Sequence, residues 1–329
     1  MALLLEVENL KVAFQEEHSQ MISVDHVSFS VNTGEVLGIV GESGCGKSVT
    51  ALSIMGLLSN NGHVVGGRVF FNGKDLLEMK EKELDKIRGN ELSMVFQDVM
   101  NSLNPVFTIG NQMIETICIH LGYDKKSAKE YAVQLLSKVG LPDTKAIMKK
   151  YPHMLSGGMQ QRVMIAMALT CHPKLIIADE PTTALDVTIQ LQIMKLLMEL
   201  REEYNMSIIL ITHDIGLVAE LADRVVVMYA GECIEEAPVD ILFEKPAHPY
   251  TQALLGSVPG IHDDKNRKLY AISGSVPEKY QDLQGCRFAE RCPHVSIKCI
   301  EQQQFMEIED RHLVRCQYAQ AGKGEAVGA

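Results

Sequence analysis

GESGCGKS, residues Gly41 to Ser48, is the stretch on which the reading of this chain turns. It follows the apolar run Val36–Val40, which has strand length, and precedes the apolar, helix-like stretch Val49–Leu58. Strand, tight loop and helix therefore come in that order. Gly41, Gly44 and Gly46 let the chain wrap so that backbone N–H groups converge on phosphate oxygens, and the helix behind adds its positive end. The backbone of Glu42, Ser43, Cys45 and Val49 is counted with this cradle. Lys47 can reach the β- and γ-phosphates of a nucleotide, and the Ser48 hydroxyl can ligate Mg²⁺. Cys45 stands at a variable position of the pattern and fills space. A glycine-rich turn that matches by chance is the bland alternative, and the flanking strand and helix weigh against it.

Leu175-Ile176-Ile177-Ala178-Asp179-Glu180 reads as a buried strand ending in two adjacent carboxylates. Side chains alternate along a strand, so the two acids are expected to do different work. Asp179 holds Mg²⁺, directly or through its water, and Glu180 polarises the water that attacks a γ-phosphate. Two acids after an apolar run are often only the solvated end of a strand; the phosphate loop upstream tips the reading toward chemistry. His213 directly follows the next apolar run, Ser207 to Thr212. Parallel strands deliver their C-terminal ends to one edge, which would bring His213 to the phosphates as a γ-phosphate sensor. A lone histidine after a strand is more often structural.

The rest of the pattern is α/β. Leu3 to Val12 and Ser28 to Val31 read as strands of a β-rich opening. Between about Asp98 and Pro152 the pattern turns helical: Ile109, Met113 and Ile117 share one face, and Ala132, Leu135, Leu136 and Val139 another, as in a helical insertion. From Met159 onward helices alternate with the short strands Lys174–Ala178, Ser207–Thr212 and Arg224–Met228, and Val187–Tyr204 is a long amphipathic helix. That order implies a mostly parallel sheet with crossover helices. After about Pro238 the periodicity weakens, which reads as an appendage, and the Gly/Ala-rich tail is expected to lack order.

At 329 residues and 46% apolar composition the chain can fill a real core. No apolar run approaches the roughly 18 residues that span a bilayer. The first ten residues carry Glu6 and Glu8 and no leader pattern, so the cytoplasm is the expected compartment. A net charge of -11 without a basic block argues against a nucleic-acid partner.

LSGGMQQR, Leu155 to Arg162, lies ahead of the carboxylate strand, and with GESGCGKS it resembles the signature of ABC ATPases. FQD around Gln97, TALD from Thr183 to Asp186 and His213 are similar to further motifs of that family, in its order, from about Leu4 to Leu255. The resemblance implies a P-loop NTPase (RecA-like) α/β fold: a mostly parallel sheet core, an antiparallel β subdomain and a helical subdomain at about residues 98–158. An ATPase domain would occupy residues 1–255 and a C-terminal extension residues 256–329. ATP and Mg²⁺ are the implied cofactors. Two nucleotide domains would close head to tail, so that Ser156, Gly157 and Gly158 present N–H groups and a helix N-terminus to the partner's γ-phosphate. By the same resemblance Gln97 joins the Mg²⁺ site and links nucleotide to membrane subunits, Asp186 lines the dimer seam, and Phe14 stacks on adenine. An aromatic on an early strand also serves as core.

FQDVMNSLNP, YPHMLSGGM, ADEPTTALDVTIQ and HPYTQALL resemble the ATPase subunits of dipeptide and oligopeptide importers, a group that includes some nickel importers. Val99 departs from the proline usual there, which softens the turn after Gln97. The implied partners are a paralogous ATPase chain in a heterodimer, two transmembrane permease subunits and, indirectly, an extracellular substrate-binding protein. The chain would sit on the cytoplasmic face of the cell membrane. Two other readings stand beside this one: a soluble ABC ATPase acting on ribosomes or DNA, which typically has two fused nucleotide domains, and a subunit that binds ATP without turnover.

Cys286, Cys292, Cys299 and Cys316 are separated by five, six and sixteen residues, unlike common zinc knuckles. Four thiolates can hold Zn²⁺ or a [4Fe–4S] cluster, and spacing alone does not decide. The resemblance of GCRFAERCP to the C-terminal quartet of peptide-importer subunits implies the iron–sulfur cluster. Zinc and unligated thiols are the alternatives, and His294 reads as a surface bystander.

Overall fold

The structure is a computed structural model that describes residues 2–16, 19–98, 102–182, 186–257, 272, 274–277 and 280–321. Val99, residues 183–185 of the TALD motif and the tail 322–329 lie outside the described residues. The chain divides into two compact units. One holds Leu3–Val31, Val36–Leu77 and Thr212–Ala329; the other holds Met1–Ala2, Asn32–Glu35 and Glu78–Ile211.

The first of these carries β1 (Leu3–Gln15), β2 (Gln20–Asn32), β3 (Val36–Val40), β4 (Gly62–Phe71) and β5 (Lys74–Asp75). Four of them form a sheet in the order β2-β1-β4-β5, with β1 antiparallel to β4 from Leu5↔Phe71 to Phe14↔Gly62. Leu5, Val7, Leu10 and Val12 are buried from β1, and Val24, Val27, Phe29 and Val31 from β2. Both strands run longer than the apolar runs suggested, because backbone pairing carries polar residues such as Gln15 and Gln20 along with them. β3 is buried throughout and leads into the glycine loop. The helix behind that loop, Lys47–Met55, starts two residues before the expected Val49. It stops short of Leu58 because Gly56 turns left-handed (φ 63°) and its N–H closes on the carbonyls of Leu52 and Ser53.

In the other unit β6 (Leu92–Val95), β7 (Leu175–Asp179) and β8 (Ser207–Ile211) run parallel, with Leu92↔Leu175 and Leu175↔Ser207 in register. Every residue of the three is buried, as strands covered on both faces require. Helices Ile109–Leu121, Lys125–Lys138, Gly157–Ala168 and Val187–Tyr204 belong to this unit. Ile109, Met113 and Ile117 are buried together from the first, and Ala132, Leu135 and Leu136 from the second. Thr108, Asp124 and Asp186 each accept a hydrogen bond from a first-turn N–H, which fixes three of the helix starts.

The chain then returns to the first unit with β9 (Arg224–Tyr229), β10 (Glu232–Pro238), β11 (Met306–Glu309) and β12 (His312–Val314). β3 is parallel to β9, β9 antiparallel to β10, and β12 lies between β10 and β11. The segment read as an appendage thus puts its last strands on the edge of this sheet. Glu235, fully buried on β10, ties it down. Its carboxylate accepts from the N–H groups of Ala247 (2.6 Å) and His248 (2.8 Å) and lies 2.8 Å from His312 Nε2. His248 Nδ1 in turn accepts from the Tyr250 N–H (3.0 Å), capping the helix Pro249–Gly256.

Burial lowers the His248 pKa from its ordinary 6.5 to about 4, against the opposing pull of Glu235. The unfolded chain takes up this proton below the unfolded value and the folded chain holds out to the lower one. Stability is therefore complete above about pH 6.5 and declines as pH falls toward about 4. His248→Asn keeps an acceptor for the Tyr250 N–H. It is expected to shrink the stability difference between about pH 7 and about pH 4.5, measured by urea unfolding, by about 2 kcal/mol.

Candidate functional site

Two sets of candidate side chains are present, one in each unit. The glycine loop opens the first. Gly41 sits at φ 154°, and a Cβ there would stand 2.2 Å from the Met228 carbonyl oxygen and 2.8 Å from Cys45 Sγ. Gly46 sits at φ 102°, where a Cβ would meet the Ser23 carbonyl oxygen at 2.8 Å. Only glycine fits either place. Ser43 and Gly44 are exposed, and nothing lies within 4 Å of a Cβ built on Gly44, so the loop's outer rim is open.

Lys47 is buried. Its Nζ donates to the carbonyls of Gly41 (2.8 Å) and Glu42 (3.0 Å) and lies 3.7 Å from Cys45 Sγ. Among the described residues its hydrogen-bond partners include no carboxylate. An ammonium out of water without a counter-anion, at the start of a helix and beside an open rim of N–H groups, is a place for a polyanion. The residues therefore fit a nucleotide's phosphates. Cys45 is fully buried and its pKa is raised by that burial, with Lys47 opposing.

Two residues passed over in the sequence grip the same loop. The Glu42 N–H donates to the Tyr250 hydroxyl (2.9 Å), and Arg291 Nη1 lies 3.1 Å from Glu42 Oε2. The tip of the β9–β10 hairpin adds a third support, the Gly231 N–H donating to the Cys45 carbonyl at 3.0 Å. His213 is exposed at the start of the segment after β8; beside it, Thr212 accepts from the Asp214 N–H at 3.0 Å, and Asp214 caps the helix Ile215–Leu221. Phe14 is half-buried and lies over Gly62, where a Cβ would come within 2.8 Å of its ring. That leaves part of the ring uncovered.

The second set centres on the end of β7. Asp179 is buried at the last position of the strand, opposite Ile211. Glu180 does not continue the strand alternation: its backbone is left-handed (φ 44°), and its N–H donates to the Ile211 carbonyl at 2.8 Å. The strand ends at Asp179 and the chain turns at Glu180, so the alternation argument does not reach it. The Glu180 carboxylate accepts from Gln97 Nε2 at 2.8 Å, so two candidate residues far apart in sequence meet. A non-glycine residue in this region is strained, and such strain gathers at functional positions.

In the same unit Ser156 stands at the N-terminal boundary of the helix Gly157–Ala168, which begins two residues before the expected Met159. Ser156 and Gly157 are exposed, and the Ser156 side chain makes no capping hydrogen bond. A Cβ on Gly158 would stand 3.1 Å from Ile189, next to the helix start that Asp186 caps through the Ile189 N–H. Gln160 fastens the loop by donating to the carbonyls of Pro152 and Leu155.

The four late cysteines belong to the first unit. The Cys286 N–H donates to the Cys299 carbonyl at 2.8 Å. Burial pushes the Cys286 thiol up to about 12, with Cys316, Cys299 and Cys292 adding to the rise, and burial raises Cys292 and Cys316 too. By donor chemistry alone, four thiols suit a soft cation or a cluster. Among the described residues, however, no group of three or more His, Cys, Asp or Glu side chains is arranged to hold a metal ion. His294 stacks on Tyr318 with ring centres 4.0 Å apart, as a bystander would.

The family profile described as ABC transporter matches residues 24–183, and the one described as oligopeptide/dipeptide transporter, C-terminal region, matches residues 234–299. The chain is 52% identical over 318 residues to the oligopeptide transport ATP-binding protein AppD of Bacillus subtilis, covering 96% of this chain and 97% of that one. It is 49% identical over 316 residues to the dipeptide transport ATP-binding protein DppD of Escherichia coli, covering 96% of each. Among solved structures, the ATP-binding cassette MJ0796 bound to ADP and Pi is similar at a TM-score of 0.64 and 28% identity, over 72% of this chain and 99% of that one. CbiO1 from Clostridium perfringens, part of the ABC transporter complex cbiONQ, is similar at a TM-score of 0.62 and 28% identity, over 74% and 92%.

Replacing the strained Glu180 by glycine relieves the left-handed backbone but gives up the hydrogen bond from Gln97. The expected outcome of Glu180→Gly is a gain in unfolding free energy of up to about 1 kcal/mol, read from the urea midpoint. A lower midpoint would show that the lost hydrogen bond and the added chain entropy outweigh the strain at Glu180.

Proposed function

The chain belongs to the ATP-binding subunits of ABC transporters, and from that premise we propose that it hydrolyses ATP to power an importer of di- and oligopeptides across the cytoplasmic membrane. The observation that carries the reading is the buried Lys47 ammonium, held by carbonyls at the mouth of an open glycine cradle. In this reading the ATPase domain spans residues 1–255 and the C-terminal extension residues 256–329. No helix among the described residues is long and apolar enough to cross a membrane, which agrees with a peripheral subunit docked on two permease subunits.

Lys47 and N–H groups of the loop between Ser43 and Val49 bind the β- and γ-phosphates, Glu42 borders the cradle with its own N–H given to Tyr250, and Phe14 offers the uncovered part of its ring to adenine. Ser48, Asp179 and Gln97 would hold Mg²⁺, which when bound neutralises charge on the transferring phosphoryl group. Glu180 orients the attacking water and accepts its proton; Gln97 keeps that carboxylate in place. His213 donates to a γ-phosphate oxygen and so senses whether ATP is intact. Ser156, Gly157 and Gly158 serve the nucleotide of a paralogous partner chain, with Asp186 at the seam. The exposed helix start at Gly157 and the uncommitted Ser156 hydroxyl support that assignment. An extracellular binding protein and the permeases select the peptide.

The four cysteines would hold a [4Fe–4S] cluster. Their all-thiol donor set, and the resemblance of GCRFAERCP to the cysteine quartet of peptide-importer subunits, support this reading. Anaerobic purification is expected to give a brown protein with iron and acid-labile sulfide. Zinc without iron would assign the site to Zn²⁺ instead.

For the assembled transporter with its paralogous chain, Glu180→Gln is expected to cut phosphate release by about 10²- to 10⁴-fold while MgATP binding persists. Unchanged phosphate release would mean that ATP binds for regulation only. Recovery with ribosomes or DNA, and never with membrane subunits, would overturn the transport reading. Uptake of nickel in place of labelled peptides by proteoliposomes would reassign the cargo.

A further inference from the structure

Glu42 poses an electrostatic problem. It is a carboxylate on the loop that must receive phosphates, and like charges repel strongly where water is scarce. Its Oε1 is buried with no hydrogen-bond partner among the described residues, so the charge is only partly satisfied there. Arg291 answers it from the C-terminal segment. That arginine closes the short turn Ala289–Arg291, its side chain is 8% exposed, and its Nη1 is shared between Glu42 Oε2 (3.1 Å) and the Tyr229 hydroxyl (3.2 Å). Nη2 donates to the Gly274 carbonyl at 3.4 Å, and the guanidinium lies 5.7 Å from the ring centre of Tyr229 and 5.8 Å from that of Phe288. A planar cation stacked on aromatic walls is held in one orientation.

The backbone of Glu42 is fixed as well. Its N–H is taken by the Tyr250 hydroxyl and its carbonyl by Lys47 Nζ. Three ties on one residue set the peptide planes on either side of Glu42, and one of those planes helps position the lysine that meets the phosphates.

We infer that Arg291 and Tyr250 are positioning residues for nucleotide binding: Arg291 neutralises Glu42 and draws its carboxylate away from the phosphates, and Tyr250 fixes the Gly41–Glu42 peptide, whose Gly41 carbonyl accepts from Lys47 Nζ and so presents it. The C-terminal segment is thereby part of the nucleotide site's support. This rests on the nucleotide reading of the loop proposed above.

The test is MgATP binding to the full chain, followed with a fluorescent nucleotide and by competition. Arg291→Gln is expected to weaken MgATP binding about tenfold, and Tyr250→Phe, which keeps the ring and removes only the hydroxyl, about threefold. Adding Glu42→Gln to Arg291→Gln is expected to restore most of the affinity, because it removes the charge that the arginine neutralised. A purely structural arginine would leave the double variant as weak as the single one. Unchanged affinity in Arg291→Gln, or losses that simply multiply in the double variant, overturns the inference. If Arg291→Gln does not fold, Tyr250→Phe decides: wild-type affinity there overturns it. A wild-type chain that fails to bind MgATP refutes the nucleotide reading itself.

Discussion

A buried ammonium sets the terms for everything around the glycine loop. Lys47 lies out of water with two carbonyl oxygens and a thiol sulfur as its hydrogen-bond partners. For those carbonyls to face inward, the chain must pass Gly41 at φ 154°, so close to Met228 on β9 that a single methyl group would collide. β9 in turn is held by β3, in parallel register from Leu37↔Arg224 to Val40↔Val227. The loop is therefore not a flexible clasp. It is a preorganised cavity edge, in which the cost of desolvating Lys47 is offset by the carbonyls that hold it.

The parts of this arrangement legible in the sequence are those whose cause is local. GESGCGKS between two apolar runs announces a strand, a tight turn and a helix, and the run Leu175–Ala178 before two acids announces a buried strand edge. Both are found. Helix ends were less legible because a single residue decides them: Gly56 stops one helix and Ser156 starts another earlier than periodicity suggests. The full length of β2 was hidden because half its residues are polar and its pairing with β1, not its pattern, makes it a strand. Arg291 and Tyr250 were hidden for a stronger reason. They meet Glu42 across 249 and 208 residues of chain, and no local regularity encodes such a meeting.

Glu180 shows how an expectation can rest on an incomplete argument. Alternation along a strand separates neighbouring side chains only while the strand lasts, and β7 ends at Asp179. What sends Glu180 elsewhere is a left-handed backbone anchored by the Ile211 carbonyl, with the carboxylate taken up by Gln97. Gln97 follows β6, the neighbour of β7, so parallel register from Leu92↔Leu175 to Val95↔Ala178 brings the two side chains to the same end of the sheet. The strain is local, and the rigid, fully buried strands on which it is mounted keep it from relaxing.

A chain of hydrogen bonds ties the C-terminal strands to the glycine loop. His312 on β12 meets the buried Glu235, Glu235 accepts from the His248 N–H, and His248 Nδ1 accepts from the Tyr250 N–H. The Tyr250 hydroxyl then accepts from the Glu42 N–H. Each link is buried or nearly so, and a buried polar group left without its partner costs more than the bond itself contributes. Loosening any one link therefore weakens the others. The aromatic rings of Tyr229, Tyr250 and Phe288, packed with centres 4.7 to 5.4 Å apart, exclude water from the middle of this chain. The segment after Pro238 is thereby tied to the loop, since Tyr250 and Arg291, two of the residues that hold Glu42, come from it.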